Sequence, residues 1–328
     1  MSFVHAVWGK LTGEYMLAIA LLWFTAICSM VVSYYASGLP RTWRGFRDHA
    51  IPPGTLSHPS ARADVLFWIS RKGFNAVMAI PAVISAATVG VLVHAGLARL
   101  LPDFPPPEGP ASVPLLIAFS FTMFVAYDFS YYVYHNMQHR VPILWEIHKV
   151  HHSAEVMVGF TKDRVHPLDD FMNHAWDALI TGVVYGIWLF FLLEPEEVTI
   201  FGLNIYVLRN ILMLDLVRHT HYKISFGKVV NAVVLCPHWH QLHHSTNAKH
   251  YDKNFGLMLS VWDRMFKTLM IPEPNEDFTF GLTHEENRDY RSATRLWVTP
   301  FVKIYAILAR PRVAHSRVAQ QEGVHDNA

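Results

Sequence analysis

Cysteine and charge are what this 328-residue chain has least of. Its two cysteines, Cys28 and Cys236, lie far apart with no Cys-x-x-Cys pair, which argues against a disulfide framework and against a thiolate zinc site. Charged residues make up 16% of the chain against 52% hydrophobic, and the mean hydropathy is positive. That balance is unusual for a soluble globular protein. The formal charge is +1, so no global field favours nucleic acid or an acidic substrate. No internal repeat is visible, and from about Ala314 the chain reads as a polar tail.

Long apolar runs, by contrast, are plentiful. Tyr15–Ser37 carries no charge and is long enough to cross a bilayer. It exceeds a signal-peptide core and lacks a small-residue cleavage site just after it, so it reads as retained. Phe74–Ala98, with Pro81 and His94 inside it, is a second run, and Pro114–Tyr134, interrupted by Asp128, is a third. Ala178–Leu193 and Val198–Leu214 form a pair split by Glu194–Glu197, either a full hairpin or a re-entrant one. The expected fold is therefore all-α, an integral membrane bundle of four to five spanning or re-entrant helices. Gly38–Gly73 holds Arg41, Arg44, Arg47, Arg62, Arg71 and Lys72, which the positive-inside rule puts in the cytoplasm. The proline-rich, acidic connections Pro102–Pro110 and Glu194–Glu197 fit the opposite side. Segments 135–174 and 219–290 then share the cytosolic face, and the densest histidines of the chain lie in them.

Histidine is the outlier, at 21 residues. "HNMQH" offers His135 and His139; "HKVHH" offers His148, His151 and His152; "HWHQLHH" repeats that spacing with His240, His243 and His244. On a helix, positions three and four apart share a face. Adjacent histidines diverge by about 100°, enough for one to reach each of two ions. A single zinc site takes three or four protein ligands, so eight clustered imidazoles predict a dinuclear centre. His-Glu-x-x-His is absent, which removes the zinc-peptidase general base. The clusters also lack the Glu-x-x-His pairs of soluble di-iron bundles. His219 of "RHTH" is a ninth expected ligand. His166, His221 and His238 are candidates either for the metal or for a supporting role. An all-imidazole set leaves the metal charge uncompensated, so nearby acids should support it. Asp128, on one helical stripe with Tyr132, His135 and His139, and Glu155, three residues after His152, are the acids expected there.

The set "HNMQH…HKVHHSAE…RHTH…HWHQLHH" resembles the fatty acid hydroxylase superfamily, also called the sterol desaturase family. "DFSYYVYHNMQH" is similar to its Asp-x-x-Tyr-Tyr-x-x-His-x-x-x-His helix, and "DKNFG" with "SVWDRMFKT" to its closing signature. The likeness runs from about Val113 to Thr268, and it is specific for the family but not for the substrate. Two positions depart from the pattern: Lys267 stands where the family usually has glycine, and His221 where many relatives have asparagine. The resemblance implies a cytosolic helical cap over the membrane domain, and a non-haem di-iron centre that uses O2 to attack an unactivated C–H bond of a lipid. The lipid would come from the bilayer. Because no cytochrome b5-like His-Pro-Gly-Gly segment is present, electrons would come from a separate ferredoxin, cytochrome b5 or reductase. It also implies three parts: membrane helices and a basic connection over 1–112, a catalytic domain over 113–270, and a cap segment and tail over 271–328. The membrane would be the inner membrane of a bacterium or the endoplasmic reticulum of a eukaryote. A hydroxylase is the leading expectation. A desaturase or sterol-methyl oxidase would use the same metals, and a histidine-rich metal transporter is the alternative of another class.

Overall fold

The computed structural model describes residues 3–78, 85–192, 199–200, 203–204, 210–211, 214–273 and 276–309. Within them the fold is helical, apart from a two-residue antiparallel pairing of Thr199–Ile200 with Leu203–Asn204. Among the described residues, three helices are long and apolar enough to cross a membrane. They are the second part of α1 (Phe3–Ala36) from Met16 onward, α5 (Val113–Arg140) and α7 (Pro167–Phe191).

Both α5 and α7 extend beyond their apolar runs, and the reasons are local. The polar "HNMQH" turn continues α5 to Arg140, where Val141 and Pro142 end it. Pro142, which has no N–H to give the preceding helix, opens α6 (Pro142–His152) instead. α7 starts at Pro167 with His166 as its N-cap and Asp169 and Asp170 in the first turn, where the helix dipole favours negative charge. The Ala178–Leu193 run is therefore the inner part of a full-length span.

Phe74–Ala98 does not form one span. α3 (Pro59–Met78) ends inside it and α4 (Ala86–Leu100) begins inside it, while Pro81 lies outside the described residues. The 15 residues of α4 rise about 22 Å at ~1.5 Å per residue, short of the ~30 Å hydrocarbon core. α4 instead lies against α7 at very short range. A Cβ at Gly90 would sit 2.4 Å from the Tyr185 ring, and one at Gly182 would sit 2.5 Å from Val89 Cβ. Such small-residue crossings let helices approach backbone to backbone. Most of Val198–Leu214, and the tail from residue 310, lie outside the described residues.

The polar half of the molecule gathers at one end of the spans. α2 (Trp43–Ala50) follows α1. Residues 214–273 carry α8 (Gly227–Asn231), α9 (Pro237–His243) and α10 (Ser260–Met265), followed by α11 (His284–Arg288) and α12 (Ala293–Leu308). The C-terminal end of α5 and the N-terminal end of α7 both reach this region, since His135 bonds to Phe255 and Asp169 to His148. Arg164 is its anchor. With 1% of its side chain exposed, it pairs with Asp64 at 2.6 Å and donates to Ser153 Oγ and to the carbonyls of Val150 and Tyr290. One guanidinium thus ties α3 to the end of α6 and to the turn before α12, beside the buried cluster of Ala63, Phe67, Val150, Tyr290 and Leu296.

Candidate metal centre

The structure brings all nine expected histidines into two adjacent groups. His135, His139, His148, His152 and His243 form one, and His151, His219, His240 and His244 form the other; in each, ring nitrogens lie within 4.8 Å of one another. Helix periodicity does the sorting. On α6 His148 and His152 face the first group and His151 the second, while on α9 His243 joins the first group and His240, with the following His244, the second. Each adjacent His-His pair is split between the groups. His152 and His244 stack at 4.5 Å where the groups meet.

The close approaches have no hydrogen-bonding explanation. His219 Nε2 lies 3.1 Å from His151 Nε2 and 3.0 Å from His240 Nε2, which is itself 3.2 Å from His244 Nε2. An imidazole nitrogen offers one lone pair or one hydrogen, so it cannot satisfy two nitrogen neighbours at once. Nitrogens ~2.1 Å from a common ion and at right angles would be ~3.0 Å apart, which matches. The Nε2 atoms of His135, His139 and His148 are buried without a hydrogen-bond partner, as are the Nδ1 atoms of His151, His219 and His240. Burial pushes His148 down to about 3. Burial and the neighbouring imidazoles hold His152, His243 and His244 well below the usual histidine range. These rings are neutral at pH 7, the form that ligates. By donor set, spacing and protonation, the residues fit two metal ions.

A second ring of contacts aims the imidazoles. His135 Nδ1 donates to the Phe255 carbonyl at 2.8 Å, His243 Nδ1 to the Lys253 carbonyl at 2.7 Å, and His148 Nδ1 to Asp169 Oδ2 at 3.0 Å. Each leaves Nε2 facing inward. Gln138 donates to the other oxygen of Asp169. Asp169 is an acid that reading the sequence missed; the available signal was an acid in the first turn of a span, whereas Asp128 lies in the middle of one. Since outer partners of this kind typically carry ~10–100-fold in metal affinity, Asp169→Asn should weaken iron binding by that order. Titration of the purified protein against a competing chelator measures it, and an unchanged affinity would show that His148 needs no carboxylate.

Asp128 and Glu155 belong to neither histidine group. Asp128 accepts from the Met258 and Leu259 amides and from Trp262 Nε1, so it docks the 258–262 segment on α5. Asp263 accepts from the Phe255 and Gly256 amides and from Thr268, whose hydroxyl also meets Tyr132. The closing motif is therefore a brace for the Phe255 carbonyl and its partner His135. Lys267 has φ +61°, the left-handed region that favours glycine, which accounts for glycine at that place in the family pattern. Glu155 follows the end of α6 at Ser153 and pairs with Arg291 at 3.0 Å.

The three remaining histidines lie outside both groups. His166 is the α7 N-cap. Its Nδ1 accepts from Leu168 N and its Nε2 donates to the Trp297 carbonyl, so neither nitrogen is left for a metal. His221 donates to the His49 carbonyl at 2.6 Å. His238 bonds to Gln241 Oε1 at 3.3 Å and stacks on Phe278.

Residues 120–268 match the fatty acid hydroxylase family model. Human alkylglycerol monooxygenase is 30% identical over 171 residues, 51% of this chain and 34% of that protein. A cholesterol 25-hydroxylase-like protein of Danio rerio is 27% identical over 147 residues, 44% of this chain and 52% of its own length. A Delta(7)-sterol 5(6)-desaturase of Gibberella zeae is 26% identical over 156 residues, 47% and 39% of the two chains. The chain spans about a third of the length of the alkylglycerol monooxygenases it matches. No solved structure matches it. The matched segment, less than half of the chain, contains most of α5, all of α6 and α9 and every histidine of the two groups, and over it the chain is similar to the fatty acid hydroxylase family.

Proposed function

We propose that this protein is a membrane-bound di-iron oxygenase that hydroxylates an unactivated C–H bond of a lipid, with O2 as co-substrate and electrons from a separate ferredoxin, cytochrome b5 or reductase. The observation that carries this reading is the pair of adjacent, buried, all-imidazole groups, with no thiolate among their members. Two bound irons would supply the electrons that reduce O2 and the oxidising power that removes hydrogen from carbon. His135, His139, His148, His152 and His243 would hold one of them, and His151, His219, His240 and His244 the other. The chain's remaining task is to hold these rings still and dry. Asp169 and the Phe255 and Lys253 carbonyls fix three of them, and the braces on Asp128 and Asp263 fix those carbonyls. The arginine-rich connection over 38–73 supports a cytosolic face for the site, at the depth where a lipid can leave the bilayer sideways. A histidine-lined transporter would spread its ligands along a path near mid-membrane, whereas these converge at one end of the spans.

The names of the relatives suggest ether lipids such as alkylglycerols first, and sterols second, as trial substrates. Iron-loaded protein supplied with a reductase should convert one of them to a product heavier by one oxygen, read by mass spectrometry with 18O2. A product lighter by two hydrogens would assign a desaturase instead. Protein that carries zinc, and stays inactive after iron reconstitution, would remove the oxygenase reading.

A further inference from the structure

All four histidines of the second group are buried, whereas His139 of the first is only partly so. A cavity of about 310 Å³ reaches the five-histidine group. Its inner wall carries His139, His152 and His243, and its outer part carries Tyr251, Asp252 and Thr283. All three of those histidines belong to the five-histidine group, and no member of the four-histidine group lines this cavity. The outer residues are open to solvent: Tyr251 is 53% exposed and the Asp252 side chain 56%. Inside, the His139 side chain is 8% exposed and its Nε2 has no hydrogen-bond partner.

The chemistry of the walls suits a small hydrated cation. Six waters at about 30 Å³ each occupy about 180 Å³, which the cavity accommodates. The passage is lined by Ser245, Thr283 and two acids together with Trp145, Tyr251 and Leu282, so a hydrated cation meets polar groups on its walls. Asp252 Oδ1 lies in the cavity wall, 3.8 Å from His139 Nδ1, the ring nitrogen opposite the unpartnered Nε2. A carboxylate there offsets the cost of taking a dication out of water. Glu286, the second acid of the lining, bonds to Lys149 at 2.9 Å and so leaves Asp252 the better placed of the two.

We propose that this cavity is the route by which hydrated divalent iron reaches and leaves the five-histidine group, and that the four-histidine group, none of whose members lines it, exchanges its ion with solution at a different rate. This rests on the dinuclear reading above. The experiment uses the full chain in detergent, loaded anaerobically with Fe(II), with iron content measured before an excess of ferrozine is added. Two irons per chain should leave in two phases of equal amplitude, at least tenfold apart in rate. Tyr251→Ala, which widens the mouth, should speed the fast phase several-fold. Thr283→Trp, which narrows it, should slow that phase several-fold, with the slow phase unmoved in both. Since Thr283 also caps α11, Tyr251→Ala decides alone if Thr283→Trp folds poorly. A single release phase, or a fast phase that does not respond to the mouth, overturns the proposal. Fewer than two irons at the outset overturns the dinuclear reading itself, and that result is seen before any chelator is present.

Discussion

Replacing His243 or His151 by alanine should abolish lipid oxidation and remove at least one iron per chain, while His238→Ala should keep both irons. The three residues belong to neighbouring boxes, and His238 and His243 share one seven-residue helix, so the contrast isolates geometry from mere proximity. His243 Nε2 lies 3.1 Å from His152 Nε2, and its ring centroid lies 4.5 Å from that of His135. His151 meets His219 at 3.1 Å in the other group. Removing either leaves a buried gap in a ligand set most of whose remaining members are held by their helices or by Nδ1 hydrogen bonds. His238 points instead to Gln241 and Phe278. Metal analysis and product mass spectrometry on the three variants check this. Iron loss in His238→Ala as complete as in His243→Ala would place His238 in the centre and break the division of the box.

The largest expected effect on stability is at Arg164. Arg164→Met strands Asp64, whose side chain is 0% exposed, with Thr161 as its remaining hydrogen-bond donor. Breaking one side of a buried pair costs about 3–5 kcal/mol, a large part of the ~5–15 kcal/mol that holds a typical domain. The variant should unfold at a clearly lower temperature in detergent and lose iron early, because Ser153, which Arg164 holds, directly follows His152. Arg164→Met with Asp64→Leu should regain much of the loss, since two apolar side chains leave no charge uncompensated. Thermal unfolding of the single and double variants reads both. A single variant within about 1 kcal/mol of wild type would show that water reaches Asp64.

Much of the centre was legible because helices translate spacing into facing. His-x-x-x-His and two copies of His-x-x-His-His could be read as shared faces without knowing what they faced, and His219 stood out at the end of an apolar run. The supporting acids were not legible on the same basis. Asp128 lay on the stripe of His135 and His139, yet its carboxylate accepts from amides 130 and 131 residues away. Asp169 lay 21 residues from His148 on a different helix, and no periodicity links the two. His166 was a candidate for the metal or for a supporting role, and in the structure it is a cap, because Pro167 begins a helix whose first amides need an acceptor.

What the sequence by itself determined is what repeats within one element. It set the apolar lengths that make α1, α5 and α7 spans, the prolines that start α6 and α7, and the spacing that turns eight imidazoles toward common faces. Only the tertiary structure decided how those faces are shared out. His151 and His152 part company because α6 lies between two neighbours, with His219 on one side, 68 residues away, and His243 on the other, 91 residues away. Local sterics and hydrogen bonding act over one turn and can be read from neighbours in the chain. The partner of a side chain across a packed interface depends on how whole helices are laid together, which no short stretch of sequence contains.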